Sequence, residues 1–195
     1  MSVHVLIQVG TIEPKGRQNY YVTPSLYFHE AEKNLGCAGG RKFLTKKIMK
    51  ARYCGEAFDY EDVIVYLDDD IEVVAHDWLI KLVEPLLCGQ SISGVAGRDL
   101  TADLMTVPAH IGADYVSGGW CAIRGDVFLD GCMFDEQFNP NYFEDVDLCF
   151  QAREKSKSIH VVGDVGLRHE HLAGSSAAEL IDTNRQKFGK KWGLL

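Results

Sequence analysis

Basic residues are scarce in this chain, and so are prolines, paired cysteines and long apolar runs. Lys and Arg number 20 against 28 Asp and Glu, a formal net charge of -8 over 195 residues. That balance argues against a nucleic-acid backbone or an anionic membrane surface as the main partner. An anionic ligand would need local help. The first apolar stretch, Val3 to Val9, is interrupted by His4 and Gln8, so no membrane span and no signal peptide is expected. The six cysteines, at 37, 54, 88, 121, 132 and 149, form no CxxC pair and no zinc spacing. They read as reduced, packing residues of a soluble, cytoplasmic protein. There is no internal repeat and no low-complexity segment. With 46% hydrophobic residues the chain is long enough to bury a core without staples, and one domain over residues 1–195 is expected.

The chain is organised around Val63 to Val73, VIVYLDDDIEV. Its apolar, β-branched start has the composition of a strand buried on both faces, and it breaks into three aspartates. Carboxylates at the carboxyl end of such a strand lie in the crevice where open α/β sheets bind ligands, and they need a partner there. A divalent cation is the natural one. If extended geometry continues, Asp68 and Asp70 share a side and one ion, while Asp69 points elsewhere. A solvated acidic loop is the plain alternative. A calcium loop is not, since position six is Val73 instead of Gly and position twelve is Leu79 instead of Glu.

In chain order, Val3 to Val9 and Ser25 to Phe28 read as strands with a polar loop between them. Asn34 to Arg41 reads as a glycine-rich loop opening a helix that Cys54-Gly55 ends, a place where free N–H groups suit an anion. Asp77 is a plausible N-cap for a helix through Leu86 that Pro85 should kink or shorten. Gly94 to Gly97 reads as a short strand and Leu100 to Ile111 as a loop. Tyr115 to Arg124 is a strand-like run whose paired glycines signal a close approach. Tyr142 to Arg153 begins a helix with acids in its first turn, Asp145 heading its apolar stripe and Asp147 a simple N-terminal charge. Ile159 to Val162 and Val165 to Leu167 end the sheet before Arg168-His-Glu-His171, and Ala177 to Phe188 is a closing helix with Leu180, Ile181, Asn184 and Phe188 inward.

Taken together, NLGCAGGR, YLDDDIEV, SGGWCAIRGDVF, GCMFDEQFNPNYFEDVDLCFQAR and a final strand ending in His resemble the family 2 glycosyltransferases of GT-A fold, over residues 26–176. The resemblance implies a Rossmann-like α/β fold with a mixed, mostly parallel sheet flanked by helices. Residues 1–70 would hold the nucleotide, 71–176 the acceptor and catalytic groups, and 177–195 the last helix. It also implies a metal-dependent enzyme that moves a sugar from a UDP, GDP or dTDP donor to the hydroxyl of a glycan, lipid-linked or protein acceptor, with inversion. By this resemblance Asp68 and Asp70 hold Mn²⁺ or Mg²⁺ on the donor diphosphate, and His169 or its neighbour His171 completes the metal site. Asp145 is the base, with Glu144 beside it. Asn34, Gly36 and Arg41 help hold the nucleotide together with Asp68 and Asp69, and Ser117, Gly118, Gly119 and Trp120 wall the donor sugar and incoming acceptor. The stretch before Asn34 has no counterpart of the usual second-strand acid, so the nucleotide half looks abbreviated.

The chemistry explains these residue types. A departing diphosphate develops negative charge that a divalent metal and basic groups offset, and the acceptor hydroxyl must give its proton to a carboxylate within hydrogen-bond reach. Imidazole with carboxylates suits Mn²⁺ at least as well as Mg²⁺. Two other readings stand beside this one: a binding module without turnover, motivated by the short amino-terminal half, and a nucleotidyltransferase. An oligomer that covers the sheet edge is also possible on this reading.

Overall fold

The structure is a computed structural model that describes residues 3–8, 26–29, 35–50, 57–68, 70–109, 112–169 and 177–195. The chain runs β1 (Val3–Gln8), β2 (Leu26–His29), α1 (Gly36–Lys50), β3 (Val63–Asp68), β4 (Ile71–Val73), α2 (Trp78–Leu87), β5 (Ile92–Gly94), β6 (Gly97–Leu100) and β7 (Thr106–Pro108). It continues with β8 (Tyr115–Val116), β9 (Trp120–Arg124), α3 (Gly125–Leu129), a single 3₁₀ turn (Glu136–Phe138), α4 (Glu144–Glu154), β10 (Ile159–Val161), β11 (Leu167–His169) and α5 (Ala177–Trp192).

Six strands form the main sheet in the order β10-β5-β9-β3-β1-β2. β1 pairs parallel with β2 and β3, and β10 with β5, whereas β9 runs antiparallel to both β3 and β5. The expected mixed α/β sheet is present. β3 sits inside it because its alternate residues face two apolar layers. Ile64 and Tyr66 join Ile48, Phe134, Phe138, Leu148 and Phe188, while Val63, Val65 and Leu67 join Trp78, Leu82 and Leu86 of α2. Burying an aliphatic or aromatic side chain of this kind contributes about 1.5–3 kcal/mol, so both layers hold this strand in register.

Several local expectations are revised. The glycine-rich stretch is helical from Gly36 onward, because Ala38, Leu44, Thr45 and Ile48 carry a buried stripe that begins inside it. The helix is described as far as Lys50; Cys54-Gly55, expected to end it, lies outside the described residues. Pro85 does not cut α2 short, since the helix continues to Leu87. Asp77 stands at the N-cap of α2 without a side-chain cap bond, its carboxylate bound instead to Lys81 at 2.8 Å. Gly94 and Gly97 end one strand and begin the next, and the stretch expected to be a loop carries β7, which pairs with β6. β6 also pairs with β8, giving a small three-stranded sheet beside the main one.

Candidate active site

At the end of β3 the chain leaves the main sheet. Asp68 is its last strand residue, Asp70 lies in a turn, and β4 then pairs antiparallel with β11, His169 opposite Ile71. The carboxylates therefore share a site through this turn and its partner strand, not through continued extended geometry. His169 Nε2 stands 3.0 Å from the Asp70 carboxylate, its ring 5.6 Å from the Trp120 ring. One ligating atom from each of Asp68, Asp70 and His169 fits within 4.8 Å of the others. Two carboxylate oxygens and an imidazole nitrogen are a donor set that Mn²⁺ accepts, so the residues fit a divalent ion. Asp69, His171 and Asn34 lie outside the described residues.

A second set of acids meets the first across Arg41. This arginine is 2% exposed and sits in α1, one turn before Thr45, whose hydroxyl bridges the Arg41 carbonyl and the Tyr66 hydroxyl, each at 2.6 Å. Its Nη2 donates to Asp68 Oδ1 at 2.8 Å and its Nη1 to Glu144 Oε1 at 2.6 Å. The plane lies over the Phe134 ring, 5.9 Å from its centre. Arg41 is thus neither a surface charge nor part of an open loop; it is buried, and both Nη groups are taken by carboxylates. Arg41 Nε and Glu144 Oε2 are buried without a hydrogen-bond partner.

Glu144 and Asp145 open α4, where the helix dipole favours negative charge. Asp145 is half-buried and accepts from Gly118 N at 3.1 Å and from Val146 N at 2.8 Å. Burial raises its proton affinity above the usual aspartate value, against the pull of the Gly118 N–H. Burial and the neighbouring Asp145 push the Glu144 carboxyl up to about 7, opposed by Arg41. A carboxylate so shifted is a better proton acceptor.

The paired glycines interrupt the strand-like run between β8 and β9, and the close approach expected of them is present. Asp68 N donates to Gly119 O at 2.8 Å, and a Cβ on Gly119 would collide with the Asp68 carboxylate. A Cβ on Gly118 would lie 2.9 Å from Arg41 Nη1 and 3.2 Å from Asp145 Cβ. Ser117 donates its backbone N–H to Ala96 O at 3.0 Å, and Trp120 packs partly into the layer beneath α2. Gly36 begins α1 with φ +70 against Asn139 and Pro140, where any Cβ would clash. Its described contacts are with that loop.

Two residues carry more than the sequence indicated. Asp147 is fully buried and accepts from Lys191 Nζ at 2.8 Å, Trp192 Nε1 at 2.9 Å and Gln151 Nε2 at 2.7 Å. It anchors α5 instead of decorating a helix terminus. Asn184, expected simply to face inward, proves fully buried and hydrogen-bonded to the loop before α4. A polar residue within the inward stripe of a closing helix was the available signal, because such a group must find partners.

No protein-family model matches the chain, and no curated protein matches it. Among solved structures it is similar to that of GalNAc-T7 with UDP, GalNAc and Mn²⁺, with a TM-score of 0.61 and 14% identity, over 82% of this chain and 35% of that one. The chain thus spans about a third of the length of that protein, a glycosyltransferase of GT-A type, and the likeness is one of fold. This chain has a GT-A-like α/β fold.

Proposed function

We propose that the chain is a metal-dependent glycosyltransferase that moves a sugar from a nucleotide diphosphate to an acceptor hydroxyl with inversion. The observation that carries this reading is the convergence of Asp68, Asp70 and His169 to within 4.8 Å of one another, beside the half-buried Asp145. The ordered motifs of the sequence support it, as does the likeness to a protein whose structure holds UDP and Mn²⁺. Asp68, Asp70 and His169 would hold Mn²⁺ or Mg²⁺, which when bound offsets the charge developing on the diphosphate. Arg41 keeps Asp68 and Glu144 in place. Asp145, oriented by Gly118 N–H, takes the proton of the acceptor hydroxyl. Gly118 and Gly119 let Asp68, Arg41 and Asp145 close in on the wall that, with Ser117 and Trp120, would face the donor sugar and the acceptor. The donor side belongs to residues 1–70 and the acceptor side to 71–176, where the acceptor is a glycan, a lipid-linked saccharide or a protein. Among the described residues no helix is long and apolar enough to cross a membrane. The described cysteines 37, 88, 121, 132 and 149 are free, which supports a cytoplasmic setting.

The test is a thermal-shift panel of UDP, GDP and dTDP and their sugars, with and without Mn²⁺. A nucleotide at about a hundred times its Kd stabilises by about 2.7 kcal/mol. The expected result is a rise in Tm that needs both nucleotide and Mn²⁺ and disappears in Asp70→Asn and His169→Ala. No rise with any nucleotide refutes the donor site. A rise without transfer or donor hydrolysis would instead favour a binding module without turnover.

A further inference from the structure

The loop that delivers the two α4 carboxylates is held from both sides. Its last residues before the helix, Tyr142 and Phe143, both have φ +72, a conformation that bulky residues adopt only when their surroundings impose it. On one side Cys37 N donates to Pro140 O at 2.6 Å, and Gly39 N to Asn139 Oδ1 at 3.2 Å, both from the start of α1. On the other stands Asn184 of α5, far from the cleft in sequence and fully buried. Its Nδ2 reaches the carbonyls of Phe138 at 2.9 Å, Asn141 at 2.9 Å and Tyr142 at 3.1 Å. Its Oδ1 accepts from Lys187 Nζ at 2.9 Å, and the same ammonium reaches Gln137 O at 2.7 Å. An amide has two N–H groups, so three carbonyls around one nitrogen leave it no other orientation. These carbonyls belong to the loop whose next residues are Glu144 and Asp145.

We infer that Asn184 is a positioning residue of the active site: by gathering the Phe138, Asn141 and Tyr142 carbonyls it fixes the left-handed turn that aims Asp145 at Gly118 and Glu144 at Arg41. This makes the closing helix part of the catalytic apparatus, and it rests on the function proposed above. It separates two tasks. The hydrogen bonds of Asn184 go to the loop before α4 and to Lys187, so its loss spares the metal side and disturbs the proton-accepting side. A displacement of about 1 Å in such a group costs on the order of a hundredfold in rate.

The test compares Asn184→Asp, which turns the donor into an anionic acceptor facing three carbonyl oxygens, with Asn139→Ala, which cuts the clamp on its α1 side, and with Asp126→Asn, which removes the buried partner of Arg124 and Lys157 at the start of α3. Transfer kinetics are measured well below each Tm, together with alkylation of Cys37, read by peptide mass mapping against the exposed Cys88. Cys37 lies half-buried under the same loop contact, its thiol pushed up to about 12 by burial, and so reacts slowly in the parent protein. Expected are a kcat lowered about a hundredfold in Asn184→Asp with the donor KM unchanged, Cys37 unmasked in both clamp variants, and Asp126→Asn with a lower Tm but parental kcat and a protected Cys37. A kcat in Asn184→Asp no lower than in Asp126→Asn, or Cys37 still protected in both clamp variants, overturns the inference. If Asn184→Asp does not fold, Asn139→Ala decides by the same two readouts. If the parent protein transfers no sugar, the proposed function fails, while Cys37 protection still decides whether the clamp holds the loop.

Discussion

Two acidic clusters lie at opposite ends of β9, and they are built on opposite principles. Where α3 starts, Asp126 is 5% exposed and receives Arg124 through Nε at 3.0 Å and Nη2 at 2.8 Å, Lys157 at 3.0 Å and the Ser91 hydroxyl at 3.4 Å; Lys157 also binds Asp130 at 2.5 Å. Two acids meet two bases. Burial there would raise the Asp126 proton affinity, but Arg124 and Lys157 hold it below the usual value. At the cleft end Asp68, Glu144 and Asp145 crowd around Arg41, the one basic side chain bonded to them among the described residues, with Asp70 and His169 alongside, and burial holds Glu144 and Asp145 above the usual values. A balanced cluster is a fastening; a cluster short of positive charge among the described residues suits the cation that the proposed function calls for.

The sharpest break between them is catalytic. Asp145→Asn at the unbalanced end is expected to lower kcat about 10²–10⁴-fold while leaving the Mn²⁺-dependent nucleotide shift intact. If the rate survives, the proton acceptor lies elsewhere. At the balanced end Asp126→Asn leaves two cations facing a neutral amide and should cost about 3 kcal/mol of stability by denaturant titration, with kcat unchanged in the folded fraction. Indifference of stability to that change would mean the fastening is ornamental. The smallest effect separates the clusters by pH. Glu144, with a folded value of about 7 against an ordinary 4.5, favours the fold below 4.5 and loses that contribution as pH rises through about 7. Asp126, held low, favours the fold above its unfolded value and loses that contribution as pH falls through its folded one. In Glu144→Gln the decline of Tm between pH 4.5 and about 7 should flatten. An unchanged slope would place the titrating group elsewhere.

The sheet was legible because its signal is local: β3 reads as buried on both faces from its own composition, and the structure layers it on both sides. Asp68, Asp70, Glu144, Asp145 and His169 are legible in the sequence as candidates, and the structure brings one ligating atom from each of Asp68, Asp70 and His169 within 4.8 Å of the others. What held them together was not. Arg41 belongs to a helix stripe with Leu44, Thr45 and Ile48, yet its leading glycines mimic a loop, and only tertiary packing makes them helical. Asp147 carries every mark of an N-terminal helix charge. Its partners Lys191 and Trp192 are 44 and 45 residues away, a pairing that no local pattern reveals.

The small sheet of β6, β7 and β8 closes on itself at its neck, where Gly97 pairs with Val116 and Arg98 with Tyr115. The described residues between Leu100 and Asp114 branch from that neck and are tied back to the body by Leu104 in the core and by Arg153 of α4 on Asp114 at 2.8 Å. The exposed side chains there, Met105 and Val107, take no part in those ties, so that face can vary while the main sheet and the carboxylates proposed to hold the metal keep their places.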